Sequence, residues 1–235
     1  MIIFFMFLGL LALVLINVPI AVALAVVASA AMVFAHGPDV LPNVALVMMD
    51  GATNFPLIAI PLFILAGAIM NSTGISRRLI AFASAIFGFV KGGLAMVNIG
   101  TSLFFAEISG SAVADVAALG SILIPSMKKK GYPAPFAAAV TSSSATLAVI
   151  IPPSIPMILY AVMAQSSVVQ LFVAGIVPGV LGGFLMMVVA HRFAVHYNYP
   201  VEEVFKVSQV VATFKDAALA FTLPLIILGG IFGGF

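Results

Sequence analysis

The chain has 235 residues, 64% of them apolar and 7% charged, with nine basic and seven acidic side chains and a net charge of +2. A soluble domain carries about 25% charged residues, so these few charges cannot cover a water-facing surface. High apolar content, aperiodic glycine and the absence of cysteine exclude a disordered, collagenous or disulfide-built chain. They also exclude thiolate catalysis, iron–sulfur ligation and the usual structural zinc. The composition is that of an all-α polytopic membrane protein, embedded in a lipid bilayer and with no nucleic-acid partner.

Residues 1–35 contain Ala28-Ser29-Ala30, which resembles a signal cleavage site. No Lys or Arg precedes it, and the apolar run is too long for a signal. The stretch is therefore retained membrane structure, about 50 Å long as a helix against a core of about 30 Å. Asn17 and Pro19 near its middle leave two forms open, one broken helix or two short ones. Residues 36–50 hold Gly37, Pro38, Asp39, Pro42, Asn43 and Asp50 and predict a loop with a short helical piece. A span over 53–70 follows, punctuated by Pro56 and Pro61. In 75–91 apolar residues recur at helical spacing beside Arg77, Arg78 and Lys91. That pattern predicts an amphipathic helix lying in the interface, its cations toward headgroups.

Segments 93–107 and 112–126, 15 residues each, reach only about 22 Å and are joined through Ser109-Gly110-Ser111. Their outer ends carry Lys91 on one side and Lys128, Lys129 and Lys130 on the other. If cations mark the cytoplasmic face, both ends lie there and the turn is inside the membrane, a re-entrant hairpin. Segment 132–165 is too long for one straight span and is interrupted by Pro152, Pro153 and Pro156. Each proline removes the bond to the carbonyl four residues earlier, which frees acceptors at Ala148, Val149 and Pro152. A returning span over 168–190 ends at His191 and Arg192. Glu202, Glu203, Lys206, Lys215 and Asp216 mark 202–216 as a charged linker or second interfacial helix, and 217–235 is a further span.

Enzymatic motifs are absent. His36, His191 and His196 include no pair at spacing three or four, so no helix face offers two imidazoles to a transition metal. No nucleophile elbow, Walker motif, zincin motif or channel filter occurs, so neither enzyme activity nor a cofactor is expected. Serines and glycines one at a time are explained by close helix packing. The combination of a half-length hairpin and a hydroxyl-rich broken helix points instead to a secondary transporter, where helix N-termini attract anionic groups and freed carbonyls bind Na⁺. Glu107 and Asp115 flank the tip as coupling or structural acids. Asp115 lies where a helix dipole favours an anion, so capping and ion coupling both stay open for it. Glu107 lies at a helix C-terminus and needs a partner or a proton.

Gly92-Gly93-Leu94, Ser109-Gly110-Ser111-Ala112-Val113-Ala114-Asp115, Ile124-Pro125, Lys130-Gly131-Tyr132 and Ile151-Pro152-Pro153-Ser154 resemble the large membrane subunit of tripartite ATP-independent periplasmic (TRAP) transporters, the DctM type. The resemblance runs over essentially the whole chain, although Ala148-Val149 stands where the family pattern often has Gly-Pro. It implies an ion-transporter-superfamily elevator fold whose first repeat holds the hairpin and the broken helix. It also implies a bacterial inner-membrane, Na⁺-coupled symporter that imports organic acids such as C4-dicarboxylates or sialic acid. A periplasmic substrate-binding protein and a small four-helix membrane subunit would be its partners. Family sodium sites map here onto Ser109, Gly110, Ser111, Ser144, Thr146, Ala148, Val149 and Ser154. Family large subunits are nearly twice this length, built as two inverted repeats, so the resemblance implies a second half to complete the substrate site. The expected divisions are 1–91, scaffold helices and interfacial arm; 92–166, transport hairpin and discontinuous helix; and 167–235, returning helix, charged linker and start of the second repeat. Competing readings are a Na⁺/H⁺ antiporter or citrate-type symporter of the same superfamily, and a non-transporting membrane fragment.

Overall fold

The computed structural model describes residues 1–202 and 204–233. Glu203 and Phe235, placed by sequence in the charged linker and the last span, lie outside the described residues, as does the Ser109 side chain. The described chain is all-α and falls into two compact units, Met1–Phe55 and Pro56–Phe235.

In the first unit, residues 1–35 form two helices, α1 (Ile2–Leu15) and α2 (Ile20–His36). They fold back on each other, with Ile2 and Phe34 on one cleft and Gly9 facing Val27. Pro19 caps α2 and Asn17 turns the chain at φ 65°. A proline cannot continue the helix that precedes it, but it suits the start of the next. Residues 36–50 are not the expected loop. They form one 3₁₀ turn at Pro38–Val40 and then α3 (Leu41–Thr53). Pro38 and Pro42 each sit in a first turn, where a missing N–H removes no helical bond. The prolines read as loop residues in fact start helices.

The second unit takes in α4 (Phe55–Ser72) from Pro56 onward, and its Phe63 packs against Ile158 and Phe172. Next, α5 (Ile75–Phe87) stops at Gly88, short of Lys91. It buries Leu79, Phe82 and Ala83 and leaves Arg77 and Arg78 exposed. Thirteen residues reach about 20 Å, too short to cross a bilayer. The hairpin is present as α6 (Gly93–Ser109) and α7 (Ala112–Lys129). Its arms reach about 26–27 Å, longer than the sequence suggested because helical bonding runs on past residue 107 in the first and past residue 126 in the second.

The long segment breaks as expected into α8 (Ala134–Ala145), α9 (Leu147–Ile150) and α10 (Ile155–Met163), with a 42° bend between the part before and the part after the break. Then α11 (Val168–His196) and α12 (Val207–Gly233) are each long and apolar enough to cross a membrane. The boundary expected at 216/217 is absent, and Lys215 and Asp216 lie inside α12. No glycine or proline interrupts the chain between Val207 and Pro224, so nothing there stops a helix.

Residues 197–202 tie the ends of these helices together. Glu202 N–H donates to Gly88 O at 3.1 Å, Gly92 N–H to Pro200 O at 3.1 Å, and Lys91 Nζ to Asn198 Oδ1 at 3.0 Å. Lys130 Nζ pairs with Glu202 Oε2 at 2.9 Å. Lys91 and Lys130, at opposite ends of the hairpin sequence, therefore lie at one end of the unit. The chain has no cysteine, so single cysteines at Lys91 and Lys128 report topology directly. Membrane-impermeant labelling should reach both from the same side; labelling from opposite sides would sink the hairpin topology.

The hydrogen bond and charge of Glu202 raise the Lys130 pKa. For a raised lysine, the stabilisation is present below the unfolded value of about 10.4 and is lost as pH rises through the folded value. A difference in thermal stability between the native chain and Glu202→Gln should be present near pH 8 and be lost as pH rises through the raised Lys130 value. A difference unchanged at high pH would mean that Glu202 acts through packing alone.

Candidate functional site

The hairpin tip is built by two opposed caps. Gly110 ends α6 in the left-handed region (φ 57°), its N–H bonding Ala106 O at 3.3 Å. Ser111 then takes an extended conformation and starts α7, its Oγ accepting from Ala114 N–H at 3.4 Å. Glycine is required at the tip twice over. Its φ is costly for other residues, and a Cβ would lie 2.6 Å from Pro153 O.

The break in the long helix is built the same way. Ile151 ends α9 in extended conformation, Pro152 and Pro153 follow through a cis peptide, and Ser154 caps α10. Ser154 is fully buried; its Oγ accepts from Met157 N–H at 3.4 Å and donates to Val149 O at 2.7 Å. One carbonyl predicted to be freed is thus satisfied by the serine of the same motif. Pro152 and Pro153 occupy the break, whereas Pro156 lies in the first turn of α10, where it favours helix start. The break is approached from behind by α11 at Gly175, where a Cβ would meet Ile150 O.

Tip and break touch. Ile155 N–H, an orphan donor at the start of α10, bonds Gly110 O across them at 3.3 Å. Two helix C-termini (α6 and α9) and two N-termini (α7 and α10) therefore converge. Carbonyl ends favour cations and N–H ends favour anions. A carbonyl oxygen has two lone pairs, so Gly110 O and Val149 O each retain acceptor capacity.

The remaining predicted residues divide. Ala148 is buried and Val149 is at the surface, both one turn before the break. Ser144 is fully buried but engaged elsewhere, its Oγ 2.8 Å from Ser102 Oγ. Thr146 is exposed and donates to Ser143 O at 2.6 Å. Asp115 is fully buried in the first turn of α7. Glu107, half-buried near the end of α6, has no hydrogen-bond or ion-pair partner among the described residues.

Sequence reasoning missed a buried polar seam leading to this point. Asn98 Nδ2 donates to Thr141 Oγ1 at 2.7 Å, and Ser102 meets Ser144, all four side chains almost wholly buried. These pairs hold α6 and α8 parallel, so that the tip arrives at the break. Asn98 in the middle of an apolar helix was the available signal, because a polar residue there needs a partner. Among the described residues no three His, Asp or Glu side chains converge on one point.

The model of the tripartite ATP-independent periplasmic transporter DctM component matches residues 7–235. The chain is 41% identical over 84% of its length to a C4-dicarboxylate TRAP transporter large permease protein of Pseudomonas aeruginosa, covering 46% of that protein. It is 40% identical over 93% of its length to an isethionate TRAP transporter permease protein, DctMQ, of Oleidesulfovibrio alaskensis, covering 34% of it. To the sialic acid TRAP transporter permease protein SiaT of Haemophilus influenzae it is 41% identical over 77% of its length, covering 29%. The chain thus spans half or less of each of these relatives. With its all-α multi-pass membrane architecture, its hairpin and its broken helix, the chain belongs to the DctM family of TRAP transporter components, a family of transporters rather than enzymes.

Proposed function

We propose that this chain forms the N-terminal half of the large permease subunit of a Na⁺-coupled secondary importer of organic acids in a bacterial inner membrane. Residues 1–91 serve as scaffold and interfacial arm, with Arg77 and Arg78 at cytoplasmic headgroups. Residues 92–166 carry the moving hairpin and broken helix, and 167–235 return the chain and open a second, inverted repeat. The second half of the subunit completes the substrate site. A small membrane subunit and a periplasmic binding protein deliver substrate; a relative named DctMQ, of which this chain covers only 34%, favours the former. Relatives named for C4-dicarboxylates, isethionate and sialic acid favour an anionic substrate held by helix N-termini.

The observation that carries this reading is the Gly110 O to Ile155 N–H bond. It joins the tip to the break, and the oxygens it would offer to one ion are carbonyls of the tip (109–111) and of the break (148–149) and the hydroxyls of Ser111 and Ser154. One Na⁺ there would be ligated by oxygen alone, and would hold the tip against the break. Coupling follows, because the anion-favouring N-termini of α7 and α10 are in place only when the tip is docked. Uptake by the full assembly should depend on Na⁺, and Ser111→Ala should raise the Na⁺ concentration for half-maximal rate about tenfold, as for one lost ligand. Thr146→Val, a turn before the break, should have a smaller effect. Unchanged Na⁺ dependence in both variants, at normal expression, would discard the site.

A further inference from the structure

A second feature lies at the basic end of the unit, away from tip and break. A groove of about 320 Å³ runs between the end of α5 with the turn after it and the last third of α11. Ile86, Phe89 and Val90 form one wall and Met187 and Val188 the other. Phe89 is 44% and Val188 39% exposed, so the groove is open and apolar. Its mouth is cationic. His191 and Arg192 line it, and Lys91 adjoins it through its carbonyl, 3.2 Å from His191 Nδ1. Arg192 is exposed and without an ion-pair or hydrogen-bond partner among the described residues. Lys91 spends one donor on Asn198 and keeps two. The carboxylate of Glu202, whose backbone bonds Gly88, is paired with Lys130 at 2.9 Å.

We infer that this groove binds an anionic phospholipid of the cytoplasmic leaflet, its acyl chain between Phe89 and Val188 and its phosphate on Arg192 and Lys91. An apolar slot that ends in unpaired cations matches a molecule that is apolar along its length and anionic at one end. A soluble anion would leave the slot empty, and an apolar helix of a partner would leave the cations unpaired. Arg presents a planar fork of N–H donors to phosphate. The leaflet follows from the basic ends of α6, α7 and α11, which gather on this side. Anionic lipid there would fasten the foot of the hairpin to α11, because Lys91 precedes Gly92, the N-cap of α6.

The chain has no tryptophan, so Phe89→Trp gives a single reporter in the groove, and Val177→Trp one on the exposed face of α11 nearer its start. The intact chain would be reconstituted in phosphatidylcholine vesicles doped with brominated phosphatidylglycerol or with brominated phosphatidylcholine. The groove reporter should be quenched at about fivefold lower mole fraction of the anionic lipid, a gain typical of one surface cation. The Val177→Trp reporter should show no preference. Arg192→Gln with Lys91→Gln should remove the preference, and Arg192→Lys should keep most of it. Equal quenching by both lipids, no quenching by either, or a preference that survives the double substitution overturns the proposal. Native mass spectrometry of the unsubstituted chain against Arg192→Gln supplies the same decision without the reporter: retained phosphatidylglycerol should be lost with the arginine, and equal retention overturns it.

Discussion

Gly110→Val is expected to abolish Na⁺-dependent uptake while leaving the membrane-inserted fold intact. Two costs fall on one position. A β-branched residue at φ 57° is strained by about 1–2 kcal/mol, and its Cβ would stand 2.6 Å from Pro153 O, a backbone atom that cannot swing aside. Relief requires tip and break to part, which breaks the Gly110 O to Ile155 N–H bond and separates the carbonyls that would share the ion. The seam of Asn98–Thr141 and Ser102–Ser144 lies away from the tip along the same helices, so the hairpin should stay packed. Expression near native, a thermal midpoint lowered only by the local strain, and uptake at background are the expected measurements. Uptake above about a tenth of native would show that tip and break need not touch, since displacement on this scale costs at least 1.4 kcal/mol per tenfold.

Ser154→Ala tests the other side of the contact, and its expected signature is different. The hydroxyl satisfies Val149 O and Met157 N–H together, at full burial. Alanine leaves both without a partner in a low-dielectric environment, at about 1–3 kcal/mol for the orphaned group. Losing the cap costs about 1 kcal/mol more. The thermal midpoint should therefore fall further than that of Gly110→Val, and uptake should fall with it. Threonine restores both bonds, so Ser154→Thr should recover most of the stability. A stable alanine variant would mean that water or an ion replaces the hydroxyl without loss.

Much of this was legible in the amino-acid order because the signals are local. Two mainly apolar segments of 15 residues joined through Ser-Gly-Ser specify a hairpin, and Pro-Pro-Ser specifies a break and a cap. The errors arose where one residue type serves two purposes. Pro38 and Pro42 begin helical turns, although their neighbours Gly37, Asp39 and Asn43 read as loop. Lys215 and Asp216 suggested a boundary, yet charge alone does not end a helix that lacks glycine or proline. The seam was missed because its partners lie 42 and 43 residues apart in sequence. Nothing local to Asn98 or Ser102 names Thr141 or Ser144. The contact between tip and break was inferable only as a matching of unsatisfied groups. Which atoms meet, Gly110 O and Ile155 N–H, and which carbonyl Ser154 takes, depends on packing between α6 and α8.

The most direct test of a shared cation at this contact is the reactivity of a cysteine beside it. Val113, in the first turn of α7 and 81% exposed, is near the tip without being a proposed ligand. In a chain with no other cysteine, Val113→Cys should react with a small maleimide more slowly in Na⁺ than in K⁺ at equal ionic strength. When Ser111→Ala is added, the protection should require about tenfold more Na⁺. Equal rates in Na⁺ and K⁺, or protection in the double variant at the same Na⁺ concentration as in Val113→Cys alone, would contradict a Na⁺ ion held between tip and break.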